Sequence, residues 1–190
     1  ATNGAGESTI QVAIRQGWLD EVPRLAAAGA DPNRIGTDGK TLLDQAMEDG
    51  NRDLASLFLK VGADPNHRHP ASQVGTALER AFAARDLSFF TLFLDQGCKP
   101  PEGNWNAWLW KAYENRNQEA ARLLLSHGAK AILPNHDQHV LAEIAAFQGE
   151  GDFLKLLLDY GSPVGNALYA ASERGDLEIL SLLISSGQPV

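Results

Sequence analysis

The sequence predicts an all-α fold, a solenoid of about six helix–turn–helix repeats, and three observations carry that prediction. A glycine-led block, Gly29-Ala30-Asp31-Pro32-Asn33, returns unchanged at Gly62-Ala63-Asp64-Pro65-Asn66, 62 − 29 = 33 residues later. Degenerate copies begin at Gly97, Gly128, Gly161 and Gly187, so successive spacings are 33, 35, 31, 33 and 26. A leucine-rich run precedes nearly every block. Upstream of each run a small residue recurs, at Ala13, Ala46, Ala81, Ala112, Ala145 and Ala171, which lets neighbouring helices approach closely.

Each copy reads as two short helices. In the first, a helix around Ala13 closes near Gly17, and a weaker run, Leu25-Ala26-Ala27, leads to the Gly29 block. In the second, Thr41 opens a helix that closes near Gly50, and Leu57-Phe58-Leu59 precedes Gly62. The third runs from Thr76 to Leu92-Phe93-Leu94, the fourth from Ala107 to Leu123-Leu124-Leu125. In the fifth, Gly149 closes the first helix, and Asp152 favours the N-terminus of a second that holds Leu156-Leu157-Leu158. The sixth closes at Gly175 and ends on Leu182-Leu183-Ile184. Glycine suits the left-handed residue after a helix, and Pro32, Pro65 and Pro100 stop continuation. The repeats fall at about 6–35, 36–68, 69–101, 102–133, 134–163 and 164–190, with residues 1–5 a disordered leader.

Composition excludes several classes. Of the 190 residues 44% are apolar, enough for a core. Charge is 16 − 24 = −8, which argues against a phosphate backbone as partner. The single cysteine, Cys98, excludes a disulfide scaffold, and no apolar run approaches membrane-spanning length. The polar, glycine-rich start lacks the features of a secretory signal. A cytoplasmic or nuclear protein, monomeric and not inserted in a membrane, is expected.

The chain resembles the ankyrin repeat family, whose period is 33 residues and whose signature is T-P-L-H-x-A. The resembling strings are Ser8-Thr9-Ile10-Gln11-Val12-Ala13, Thr41-Leu42-Leu43-Asp44-Gln45-Ala46 and Thr76-Ala77-Leu78-Glu79-Arg80-Ala81, with more divergent copies around Ala112, Ala145 and Ala171. The resemblance covers about residues 6–190. The signature His is absent from every copy, so the helix-opening hydrogen bond must be made differently. The 35-residue spacing implies a longer loop at 67–72, and the 26-residue spacing a shortened finger before the last copy. The resemblance also implies hydroxylation of Asn33, because Leu25 lies eight residues before it; Asn66 has Phe58 there instead.

Catalytic motifs are missing: there is no P-loop, nucleophile elbow or H-E-x-x-H helix. His67-x-His69 and His136-x-x-His139 mimic metal spacing, but they belong to loops two layers apart, roughly 20 Å. Each pair supplies too few ligands alone, so no metal, cofactor or catalytic residue is assigned. Cys98 replaces the Ala of the repeated block and reads as a small buried hydrophobe rather than a reactive thiol.

Recognition is therefore the expected function. In the resembling family the loop tips and one face of each first helix line a concave groove. Aligning the copies gives six triplets on that face: Glu7-Gln11-Arg15, Lys40-Asp44-Glu48, Gly75-Glu79-Ala83, Asn106-Trp110-Glu114, His139-Glu143-Phe147 and Gly165-Tyr169-Glu173. These positions hold seven acids and two bases, 2 − 7 = −5. The candidate partner-binding residues are Asp44, Glu48, Glu79, Trp105, Asn106, Trp110, Glu114, His139, Glu143, Phe147, Tyr169 and Glu173. Trp110, Glu114, Glu143 and Phe147 form the expected centre, and Trp108, turned away from Trp110, packs. Acids with aromatics suit a basic, extended segment of a protein partner through charge and cation–π contacts. The alternative is a reader of methylated lysine on a histone tail, with a cage drawn from Trp105, Trp110, Glu114 and Phe147.

Overall fold

The computed structural model describes residues 2–4, 6–36, 39–68, 75–84, 87–131 and 140–187. Among them lie twelve α-helices and no strand beyond an isolated Thr2–Ser8 bridge. Two compact units, Ala1–Lys99 and Pro100–Val190, divide the chain.

In the first unit the helices are α1 (Thr9–Arg15), α2 (Val22–Ala27), α3 (Leu42–Glu48), α4 (Arg52–Lys60), α5 (Ala77–Ala83) and α6 (Ser88–Asp95). Each odd-numbered helix packs on the even one that follows, and α4 packs on α6. In the second unit are α7 (Trp105–Glu114), α8 (Gln118–Ser126), α9 (Leu141–Gln148), α10 (Gly151–Asp159), α11 (Ala167–Arg174) and α12 (Leu177–Ser185). Here α9 packs on α11, and α10 packs on both α8 and α12.

The core follows the repeat. The recurrent alanines 13, 46, 81, 112, 145 and 171 are all buried, small side chains that let packed helices approach closely. The middle residue of each leucine-rich run (Phe58, Phe93, Leu124, Leu157, Leu183) is buried as well. Truncating one of these to Ala removes about 2–5 kcal/mol. The first copy is the exception: Ala26 is half-buried, and a 3-10 turn, Leu19–Glu21, stands before its short second helix.

The helix-opening bond that the missing His would make is replaced by side chains at the same register. Ser8 with Gln11, Thr41 with Asp44 and Thr76 with Glu79 form reciprocal capping boxes at α1, α3 and α5. Asn51, Asn117 and Asp176 cap α4, α8 and α12 through single side-chain oxygens.

The leader expected to be disordered over residues 1–5 is tied down where it is described. The Asn3 amide donates to Glu7 Oε2 at 2.7 Å, and its Oδ1 accepts from the Glu7 backbone at 3.0 Å. Residues 1 and 5 lie outside the described residues, as do most of the long loop after His67, the candidate His139, and His69 and His136.

Candidate functional site

Taken residue by residue, the acids of the predicted groove divide into those committed to the fold and those left on the surface. In the first unit each meets a base. Arg15 pairs with Glu7 at 3.0 Å, Lys40 with Glu48 at 2.6 Å, Arg68 with Glu79 at 2.9 Å and Arg80 with Asp44 at 2.7 Å. Two of these partners, Arg68 and Arg80, lie outside the aligned triplets, which is why the triplets alone show an excess of acids. Asp44 and Glu79 also serve as the reciprocal halves of their capping boxes. The acids of the first-unit face are thus each paired with a base.

Glu143 is 7% exposed, and its Oε1 accepts a hydrogen bond from the Asn166 backbone amide at 2.6 Å, just ahead of α11. Gly165 makes the approach possible: a Cβ there would collide with the Glu143 carboxylate and with Val140. This carboxylate therefore links two layers as well as lining the groove between them. Asn106 is similarly engaged, its Oδ1 accepting from the Lys130 backbone at 3.1 Å.

Where the signature position is not polar it is aromatic, Trp110 on α7 and Tyr169 on α11, and both residues line concavities of the second unit. The first is a groove of about 480 Å³ between α9 and α11. Ile144, Phe147, Tyr169 and Ala170 line it together with Glu143, Asn166 and Glu173. Phe147 and Tyr169 are 60% and 66% exposed. The Tyr169 hydroxyl donates to Glu173 Oε1 at 3.0 Å, and this bond, with the carboxylate's charge, raises the phenol's pKa.

A smaller pocket, about 310 Å³, holds Trp110 and Glu114 together with Tyr113, Gln148, Glu150 and Arg116. Trp110 and Tyr113 have ring centroids 5.7 Å apart, and Tyr113 meets Phe153 edge-on at 4.9 Å. The Tyr113 hydroxyl donates to Gln148 Oε1 at 2.9 Å.

The single expected centre is therefore split: Trp110 and Glu114 line the smaller pocket, Glu143 and Phe147 the larger groove. Trp105, half-buried in the first turn of α7, lines neither, so the four-residue cage is not assembled. Trp108 is half-buried on the same helix. Sequence reasoning missed Tyr113, Gln148, Phe153 and the Arg116–Glu150 pair. One signal was present: the fourth copy has Asn115-Arg116-Asn117 where four others place a glycine after the first helix.

Cys98 is half-buried, and burial followed by the nearby Asp64 charge pushes its thiol up to about 11, which disfavours the thiolate at neutral pH. Asn33 bridges two loops of the first unit: its Nδ2 donates to Gly62 O at 3.2 Å, and its Oδ1 accepts from Asp64 N at 2.7 Å. Among the described residues no helix is long and apolar enough to cross a membrane.

A family model for the ankyrin repeat matches residues 38–70. A protein of Treponema pallidum (strain Nichols) named for its ankyrin repeats is 34% identical over 96 residues, 50% of this chain and 32% of that protein. A fowlpox virus (strain NVSL) protein, likewise named, is 27% identical over 182 residues, 92% of this chain and 34% of its own length. The chain thus spans about a third of these two curated relatives. The crystal structure of the ankyrin repeat domain of Bcl-3, a member of the IkappaB protein family, aligns with a TM-score of 0.59 at 25% identity, covering 97% of this chain and 88% of that one. Repeat period, paired helices and these likenesses agree: the fold is the all-α ankyrin solenoid, and the likenesses support the ankyrin repeat family.

Proposed function

We propose that the second unit holds a basic, extended segment of a partner protein in the groove between α9 and α11. Ankyrin repeats are protein–protein interaction modules. The observation that carries the reading is the pair Phe147 and Tyr169, two large aromatics left exposed in the lining of one groove together with Ile144, Ala170 and the carboxylate of Glu173. A Lys or Arg stem lies along such rings while its charged head reaches the carboxylate. The second unit also carries the larger share of the charge: six Lys and Arg against eleven Asp and Glu give 6 − 11 = −5, while residues 1–99 give 10 − 13 = −3. In this reading the protein acts as a monomeric, non-enzymatic adaptor in the cytoplasm or nucleus.

An array of basic, acidic and apolar peptides, with the basic ones also carrying methylated lysine, tests this directly. Preferential capture of unmodified basic peptides, weakened by salt, supports the reading. Preference for methylated lysine selects the narrower reader function instead, and retention of acidic or apolar peptides contradicts both.

A further inference from the structure

One residue in the smaller pocket occupies a backbone conformation that its neighbours reserve for glycine. The helices α1, α3, α9 and α11 are followed by Gly17, Gly50, Gly149 and Gly175, with φ between 64° and 78°. After α7 the same place is taken by Arg116, with φ 52°. A side chain there is strained in a way that glycine is not. Stability does not account for the exchange. The Arg116 side chain is 82% exposed, and its ion pair is a single 3.3 Å contact to Glu150 Oε1, a class of pair that contributes little. Strain retained at the edge of a concavity points to a role in that concavity.

The pocket has the chemistry of a cation site. Trp110, Tyr113 and Phe153 provide an aromatic wall, and Glu114 and Glu150 provide two carboxylates. Glu114 has no ion-pair partner among the described residues, so Arg116 balances only one of the two charges. We infer that this pocket receives the guanidinium of an arginine side chain from the partner, and that Arg116 is the resident counter-ion it displaces from Glu150. A guanidinium fits better than an ammonium. A planar guanidinium stacks on aromatic rings, and its fork of several donors suits a pocket that carries two carboxylates. Arg116 is easily displaced because its hold is one exposed contact. The inference rests on the reading of a basic partner, but it concerns a different pocket, so the two can fail separately.

The test is a nuclear magnetic resonance titration of the whole chain, following the Trp110 indole N–H, assigned with a Trp110→Phe variant, and the Tyr169 ring. The probes are N-acetyl-arginine amide, N-acetyl-lysine amide and N-acetyl-glutamate amide. The arginine probe should give a saturable shift at Trp110, at least fivefold tighter than the lysine probe. Glu114→Gln and Glu150→Gln should each weaken it at least threefold. Arg116→Gly should tighten it about threefold by removing a competing like charge, with no loss of thermal stability. A response to the glutamate probe, a weakening in Arg116→Gly, or no saturable shift with the arginine probe would overturn the inference. The Tyr169 ring serves as the separate reporter of the α9–α11 groove, so a failure there is distinguishable from a failure at Trp110.

Discussion

The backbone amide of Asn166 donates a 2.6 Å hydrogen bond to the carboxylate of Glu143, 23 residues earlier in the chain. This bond gives a structural part to the residue that the sequence placed at the centre of the binding face. Glu143→Ala should lower stability by about 1–3 kcal/mol, because the hydrogen bond between this carboxylate and the Asn166 N–H is lost. Glu143→Gln, which keeps an oxygen in place, should lose less. Urea denaturation of both variants checks these two statements.

The Asp44–Arg80 pair makes an analogous link between α3 and α5, at 2.7 Å and with both side chains mostly covered. A double-mutant cycle with Asp44→Ala and Arg80→Ala should give a coupling of about 1–2 kcal/mol in stability. A coupling near zero would mean that the pair is a solvated contact and that Asp44 remains available to a partner.

These two bonds explain what was legible in the sequence and what was not. The glycine blocks, the recurrent alanines and the leucine runs revealed the helix pairs, because stacking identical layers requires the same residue at the same register. The fate of the acids was hidden. Whether Asp44 or Glu143 is free depends on partners 36 and 23 residues away that approach only after the layers have stacked. Aligning the copies also placed Trp110 and Phe147 on one stripe, whereas α7 and α9 direct them into separate concavities. The αL position of Arg116 was visible as a missing glycine, but its meaning needed Glu150 beside it.

Asn33 tests the loop linkage. Its carboxamide satisfies Gly62 O and Asp64 N, and Asn33→Ala should cost about 1–2 kcal/mol by leaving both without their partner. Thermal melting of the variant beside Asn66→Ala checks this. The Asn66 change should be milder, because its Nδ2 donates to Lys99 O while its Oδ1 is buried without a partner.

Alkaline stability has a defined sign. Burial, then the charge of Glu150, against the opposing effect of Arg116, pushes the Tyr113 phenol up from 10.0 to about 12. Cys98 moves in the same direction, from 9.0 to about 11. Between the unfolded and folded values the unfolded chain has released the proton and the folded chain has kept it. The unfolded state then binds fewer protons, so stability falls as pH rises. The loss should begin near pH 9 with Cys98 and extend towards pH 12 with Tyr113. Urea midpoints across that range should fall less steeply in Cys98→Ala up to about pH 11, and in Tyr113→Phe above about pH 10.

The central claim is that Phe147 and Tyr169 together form the aromatic grip on a basic partner segment. Isothermal titration calorimetry should compare the unaltered chain with the Phe147→Ala/Tyr169→Ala double variant, using the tightest basic peptide from the array. Both side chains are largely exposed, so the double variant should melt at nearly the same temperature. Its affinity should drop by about 2–4 kcal/mol, the size expected for two aromatic anchors. Unchanged affinity in a variant that melts normally would contradict the account and move recognition away from the α9–α11 groove.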